Sequence, residues 1–195
     1  MTEELASLRA ELHTLLAERA FQFGDFLLTS GRRSDYYVDG KQVTLDGRGL
    51  YLVARLALAH CRSLGVDAIG GLTLGADPIA AAVAALSGDT ARPLAAFIVR
   101  KEAKAHGTSR SIEGPRLRDG ARALLVDDTL TTGGTFLQAR DSVAATGAAI
   151  AGALCVVDRQ EGGAEALEAA GIPLHALFTK SDFPAPAGSG TSGTR

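Results

Sequence analysis

Leu5, Leu8, Leu12, Leu15 and Leu16 recur at helical spacing along a charged N-terminal stretch, which predicts an amphipathic helix over residues 3–19. From Phe21 to Asp39 the pattern changes. Aromatics, Ser and Gly mix with short alternations, predicting an irregular strand or hairpin region that turns at Ser30-Gly31. A helical pattern returns over 47–63 through Leu50, Val53, Ala54, Ala57 and Leu58. Beyond it, apolar runs predict strands at 67–72, 94–99, 121–126, 150–157 and 174–178. Between them, helices are predicted at 78–86, about 135–146 and 164–170. Strands that read as apolar runs and alternate with helices imply an α/β fold, its mostly parallel sheet covered on both faces.

Two stretches break this rhythm. Arg100 to Asp119 is polar, contains Gly107, Gly114 and Pro115, and has no stable period. A connection this long inside a compact domain is usually functional. From Pro184 the chain reads PAPAGSGTSGTR, a composition expected of a flexible tail over 184–195.

Composition narrows the field. A length of 195 residues with 46% hydrophobic positions suits one domain, here 1–183, and excludes wholesale disorder. The net charge of −2, from 20 basic and 22 acidic residues, argues against a general nucleic-acid partner. Cys61 and Cys155 form no CxxC pair or Cys/His cluster and read as buried free thiols. The N-terminus lacks the h-region of a signal peptide, and no apolar run approaches membrane-spanning length. A cytoplasmic protein without a membrane partner is expected. His13, His60 and His175 read as surface or packing residues.

Four segments carry candidate chemistry. In the first, a buried strand runs out into Asp127 and Asp128, then Thr129, Leu130, Thr131, Thr132, Gly133, Gly134 and Thr135 lead into a helix. Small residues at a helix N-terminus present backbone N–H groups and hydroxyls to a phosphate. Two adjacent carboxylates, expected to point to opposite sides, suit sugar hydroxyls, Mg²⁺ or positive charge. The second segment is Arg100-Lys101-Glu102-Ala103-Lys104-Ala105-His106-Gly107. It holds half of the chain's 4 lysines, in contrast to 16 arginines, which suits a basic loop closing over a polyanion. The third, Gly70 to Pro78, is a strand end, small-residue loop and helix start, and offers a second anion site. The fourth, Val156-Val157-Asp158-Arg159, places an arginine at a strand end, either to grip a carboxylate or imide oxygen or to pair with Asp158. Neither GxxxxGK[ST] nor GxGxxG occurs.

Taken together these segments resemble the type I phosphoribosyltransferases. VDDTLTTGGT is similar to that family's signature for the 5-phosphate of phosphoribosyl pyrophosphate (PRPP). FLLTSGRRSDYYVD, GGLTLGADP, RKEAKAHG with its downstream IEG, and VVDR resemble the orotate branch over roughly residues 20–180. The resemblance implies the type I phosphoribosyltransferase fold, with a small hood from about 1–40 plus the C-terminal segment and a long flexible catalytic loop. It implies Mg²⁺-dependent transfer of the phosphoribosyl group to orotate, giving orotidine 5′-monophosphate and pyrophosphate in pyrimidine biosynthesis.

Roles follow from the same resemblance. Asp127 and Asp128 would hold the ribose hydroxyls, and Thr129, Leu130 and Thr131 to Thr135 the PRPP site with its 5-phosphate. Arg100, Lys101, Lys104 and His106 would meet pyrophosphate, the loop coming partly from the neighbouring subunit of a homodimer. Catalysis would rest on Lys101, Lys104, His106, Asp127 and Asp128. Thr131, Arg159, Tyr36 and Tyr37 would contact or lie near orotate. No residue is assigned as a direct metal ligand; Mg²⁺ would come with PRPP, and Asp127 and Asp128 are candidates to reach it through water. Many members carry lysines where this chain has Thr29 and Gly75-Ala76.

Two alternatives remain at this level. A purine phosphoribosyltransferase would not call for Arg159 and RKEAKAHG. A regulatory PRPP-binding protein would be expected to lose the loop lysines or gain a nucleic-acid surface.

Overall fold

The structure is a computed structural model that describes residues 2–27, 31, 33–101 and 111–185. Lys104, His106, Thr29 and all of the predicted tail but Pro184 and Ala185 lie outside the described residues.

Helix α1 (Glu3–Arg19) opens the chain, and the Thr2 hydroxyl caps it by accepting the Leu5 N–H. Strands β1 (Phe21–Leu27) and β2 (Arg33–Val38) pair antiparallel, with an irregularity between Phe23 and Phe26. A short helix α2 (Lys41–Thr44) leads into α3 (Gly47–Leu64), whose Asp46 cap accepts from the Arg48 and Gly49 N–H groups. There follow β3 (Ala68–Leu72), α4 (Ala76–Ser87), β4 (Ala95–Val99), β5 (Ile112–Glu113), β6 (Arg122–Leu130) and α5 (Gly134–Ala144). Then come β7 (Ala149–Asp158), α6 (Gly163–Ala169), β8 (Leu174–Thr179) and a 3₁₀ turn at Lys180–Asp182.

The main sheet has the order β5-β4-β3-β6-β7-β8, parallel except for β5. The period of two along a strand explains its two buried faces. On β6, Leu124 and Val126 join the core formed with α1, α3 and α4, whereas Ala123 and Leu125 join the core formed with α5 and α6. Cys61 and Cys155 are buried free thiols, Cys61 pushed up to about 12 by burial and Cys155 raised in the same way. Among the described residues no helix is long and apolar enough to cross a membrane.

Two predicted boundaries move. The strand predicted to end at Val126 continues to Leu130, because β7 keeps pairing with it as far as Leu130 and Asp158. The segment read as structureless from Arg100 returns to the sheet edge at β5, where Val99 pairs with Ile112 and the Arg100 N–H donates to the Ser111 carbonyl.

Candidate active site

β3 and β6 are parallel neighbours from which the chain crosses over in opposite directions. β3 passes through α4 to β4 on one side, and β6 passes through α5 to β7 on the other. The helices lie on opposite faces of the sheet, so a crevice opens beyond the carboxyl ends of β3 and β6. A cavity of about 590 Å³ occupies it. Leu72 to Gly75 form one side, and Thr129 with Thr131 to Thr135 form the other. Asp127, Asp128, Lys41 and Lys101 also line it.

Pairing of β6 with β3 ends at Gly70 and Leu125, so the acidic pair lies beyond the last paired residues and meets the β3–α4 loop. The expectation of carboxylates on opposite sides is corrected here. Both converge on Gly75, where an added Cβ would stand 2.0 Å from Asp127 Oδ1 and 2.6 Å from Asp128 Oδ1. Only glycine leaves that space free. The Asp128 N–H donates to Asp127 Oδ1 at 2.9 Å. Burial, then the neighbouring Asp128 carboxylate, push the Asp127 carboxyl up to about 7, while the Thr135 hydroxyl and the Asp128 N–H act the other way.

The Thr/Gly stretch reaches the cavity through the start of α5. Gly133 caps that helix at φ +85°, a conformation costly for other residues. Thr131, Thr132, Gly133, Gly134 and Thr135 all line the cavity at the positive end of the helix dipole. Leu130 does not: its side chain is buried beneath Gly163, and its carbonyl accepts the Arg159 N–H.

Arg159 lies one strand over, just past the end of β7. It does not pair with Asp158, whose carboxylate accepts from the Gln160 N–H. Its terminal nitrogen forms an ion pair with Glu161 at 2.7 Å, and its guanidinium stacks over Tyr36 at 5.3 Å. Its Nε is buried with no hydrogen-bond partner among the described residues. The Tyr36 hydroxyl donates to Glu161 at 3.1 Å and lies 3.3 Å from the Arg159 carbonyl. Tyr37 is on the other face of β2, 41% exposed and packed on Phe26, away from Arg159.

Arg100 and Lys101 begin the basic loop. Arg100 pairs with Glu113 at 3.4 Å, and the Lys101 carbonyl accepts from Gln138. Two side chains at the site escaped the sequence reading. Glu161 sits beside Arg159, two positions along. Lys41 donates to Asp128 Oδ2 at 3.1 Å from 87 positions away. The one available signal for Lys41 was the scarcity of lysines.

The donor set also bears on a metal. Among the described residues no three His, Cys, Asp or Glu side chains gather into a cage. Two carboxylates beside an anion-binding loop fit Mg²⁺ that brings phosphate oxygens of its own, since this ion is commonly held by one or two carboxylates plus substrate.

Residues 42–170 match the family model described as the phosphoribosyl transferase domain. The chain is 50% identical to the orotate phosphoribosyltransferase of Thermosynechococcus vestitus over 185 residues, 95% of this chain and 97% of that one. It resembles the crystal structure of Mycobacterium tuberculosis orotate phosphoribosyltransferase in complex with Fe(III) dicitrate, with a TM-score of 0.78 and 42% identity over 90% and 98% of the two chains. The same enzyme in complex with PRPP matches at a TM-score of 0.74 and 38% identity over the same shares.

Proposed function

The chain belongs to the phosphoribosyltransferase family, in its orotate branch, and on that premise we propose that it joins orotate to the phosphoribosyl group of PRPP. The products are orotidine 5′-monophosphate and pyrophosphate. The observation that carries the base assignment is Arg159, whose guanidinium lies one strand from the acidic crevice with its Nε buried and, among the described residues, without a hydrogen-bond partner. An anionic planar base supplies the acceptor it lacks, whereas a purine ring has no carboxylate to offer.

The reaction forms a bond from a ring nitrogen of orotate to the anomeric carbon as the carbon–oxygen bond to pyrophosphate breaks. Pyrophosphate leaves with the bonding electron pair and takes up the proton that the ring nitrogen loses. The start of α5, with Thr131 to Thr135, holds the 5-phosphate. Asp127 and Asp128 hold the ribose hydroxyls and face the positive charge that develops on the sugar. Arg159 orients the base, with Tyr36 and Glu161 keeping the guanidinium in place. Arg100, Lys101, Lys104 and His106 close over the departing pyrophosphate and exclude water. Asp127 and Asp128 would hold Mg²⁺ brought in with PRPP, which would supply positive charge to the pyrophosphate.

The working unit is residues 1–183, with 184–195 as a tail. Its hood combines residues 1–40 with the C-terminal segment, a reading supported by Phe183 stacking on Phe21 at 4.1 Å. It acts in the cytoplasm as a homodimer whose loops are shared between sites. The test is a spectrophotometric assay of orotate consumption with PRPP and Mg²⁺, run beside adenine, guanine, hypoxanthine and uracil. Turnover of orotate alone is expected; turnover of a purine without orotate would overturn the base assignment.

A further inference from the structure

Lys41 belongs to none of the segments that carried the functional reading, yet its ammonium lines the cavity. Asp128 is wedged between two glycines: an added Cβ would stand 3.0 Å from its Oδ2 at Gly40 and 2.6 Å from its Oδ1 at Gly75. The turn that carries Lys41 and the β3–α4 loop therefore flank the same carboxylate.

That loop, Thr73-Leu74-Gly75, carries no cation of its own. A side chain at Gly75 would collide with both carboxylates, and Ala76 is fully buried. A ligand whose 5-phosphate lies at α5 and whose ribose lies over Asp127 and Asp128 directs its pyrophosphate toward the side of the cavity that this loop forms. Among the described lining residues, the acidic pair is balanced only by Lys41 and Lys101.

Lys41 is also equipped to bind. An ammonium has three N–H donors, and Asp128 accepts one. Asp39 Oδ1, at 3.7 Å, is within ion-pair range but beyond a good hydrogen bond. Burial works against the charge, but Asp128, Asp39 and Asp127 outweigh it and keep the amine protonated.

We propose that Lys41 is a pyrophosphate-binding residue of this enzyme, supplying from α2 the fixed positive charge that the β3–α4 loop lacks. This rests on the PRPP reading above.

The test is calorimetry with Mg²⁺ and three probes: PRPP, pyrophosphate and orotidine 5′-monophosphate, the last having the ribose and 5′-phosphate but no pyrophosphate. Lys41→Met should weaken PRPP and pyrophosphate on the order of 10- to 100-fold, the range for a charged hydrogen bond. Orotidine 5′-monophosphate should change by less than about 2-fold, and Lys41→Arg should recover most of the loss. Circular dichroism checks that the variants fold, and Lys41→Gln replaces the Met variant if that one does not. Equal weakening for PRPP and orotidine 5′-monophosphate would overturn the proposal, since Lys41 would then act on the ribose end through Asp128. Unchanged binding of all three probes would overturn it as well. In either case the wild type still binds PRPP; failure of the wild type to bind PRPP would instead sink the functional reading and this inference with it.

Discussion

Asp127→Asn isolates the cost of packing two carboxylates against one glycine. Asp127 is 7% exposed, and burial followed by the Asp128 charge moves its carboxyl from 3.8 to about 7. The folded value lies above the unfolded one, so the fold favours the neutral acid. The resulting stability is complete below about pH 4 and is lost as pH rises through about 7. At about 1.36 kcal/mol per pKa unit, the move sets a ceiling of about 4 kcal/mol. For a chain of this size 1 kcal/mol shifts Tm by about 2–4 °C, so the ceiling is a fall of roughly 8–16 °C. Asparagine keeps the shape and an acceptor for the Asp128 N–H but cannot ionise. Differential scanning calorimetry of both proteins in metal-free buffer, from pH 4 to pH 9, provides a difference curve. Asp127→Asn should gain on the wild type as pH rises from about 4 to about 7 and level off above it. His60, lowered to about 4 by burial and then by His175, contributes with the opposite sign and cancels in the subtraction. A flat difference curve, or one that grows toward acid, would refute the reasoning.

Three further outcomes are expected. Arg159→Ala should cost orotate affinity on the order of 2–5 kcal/mol while PRPP binding stays within a few fold, measured by calorimetry; equal losses would remove the base-specific role. Gly75→Ala should drive a methyl into both carboxylates, abolishing PRPP binding while circular dichroism shows the fold retained; normal binding would mean that the acidic pair relaxes freely. Lys104→Ala and Asp128→Asn should each be nearly inactive, yet after confirmed subunit exchange about a quarter of sites should recover, because a mixed dimer places both defects in one site. Activity that remains at the parental level would assign the loop to its own chain.

Much of this architecture is readable from one dimension. The leucine spacing of α1, the apolar runs of β3, β4 and β7, and the small-residue start of α5 are local signals, because side-chain periodicity follows directly from helix and strand geometry. The acidic pair and Arg159 were also legible, since a strand end followed by polar residues is where α/β sheets bind ligands.

Other features depend on groups far apart in the chain. Asp127 and Asp128 read as the end of a strand, but pairing with β7 extends β6 past them to Leu130, and a polar pair carries no local mark of that. Their convergence on Gly75 arises where β3–β6 pairing stops at Leu125 while β6 continues beside β7, a matter of strand pairing within the sheet. Lys41 meets Asp128 across 87 positions, and Tyr36 meets Glu161 across 125. By itself the sequence determined the succession of elements, the doubly covered sheet and the chemistry of the motifs, because these follow from short-range periodicity and residue type. Only the tertiary structure decided which charges face one another, because Coulomb and hydrogen-bond energies depend on separations in space that chain order does not encode.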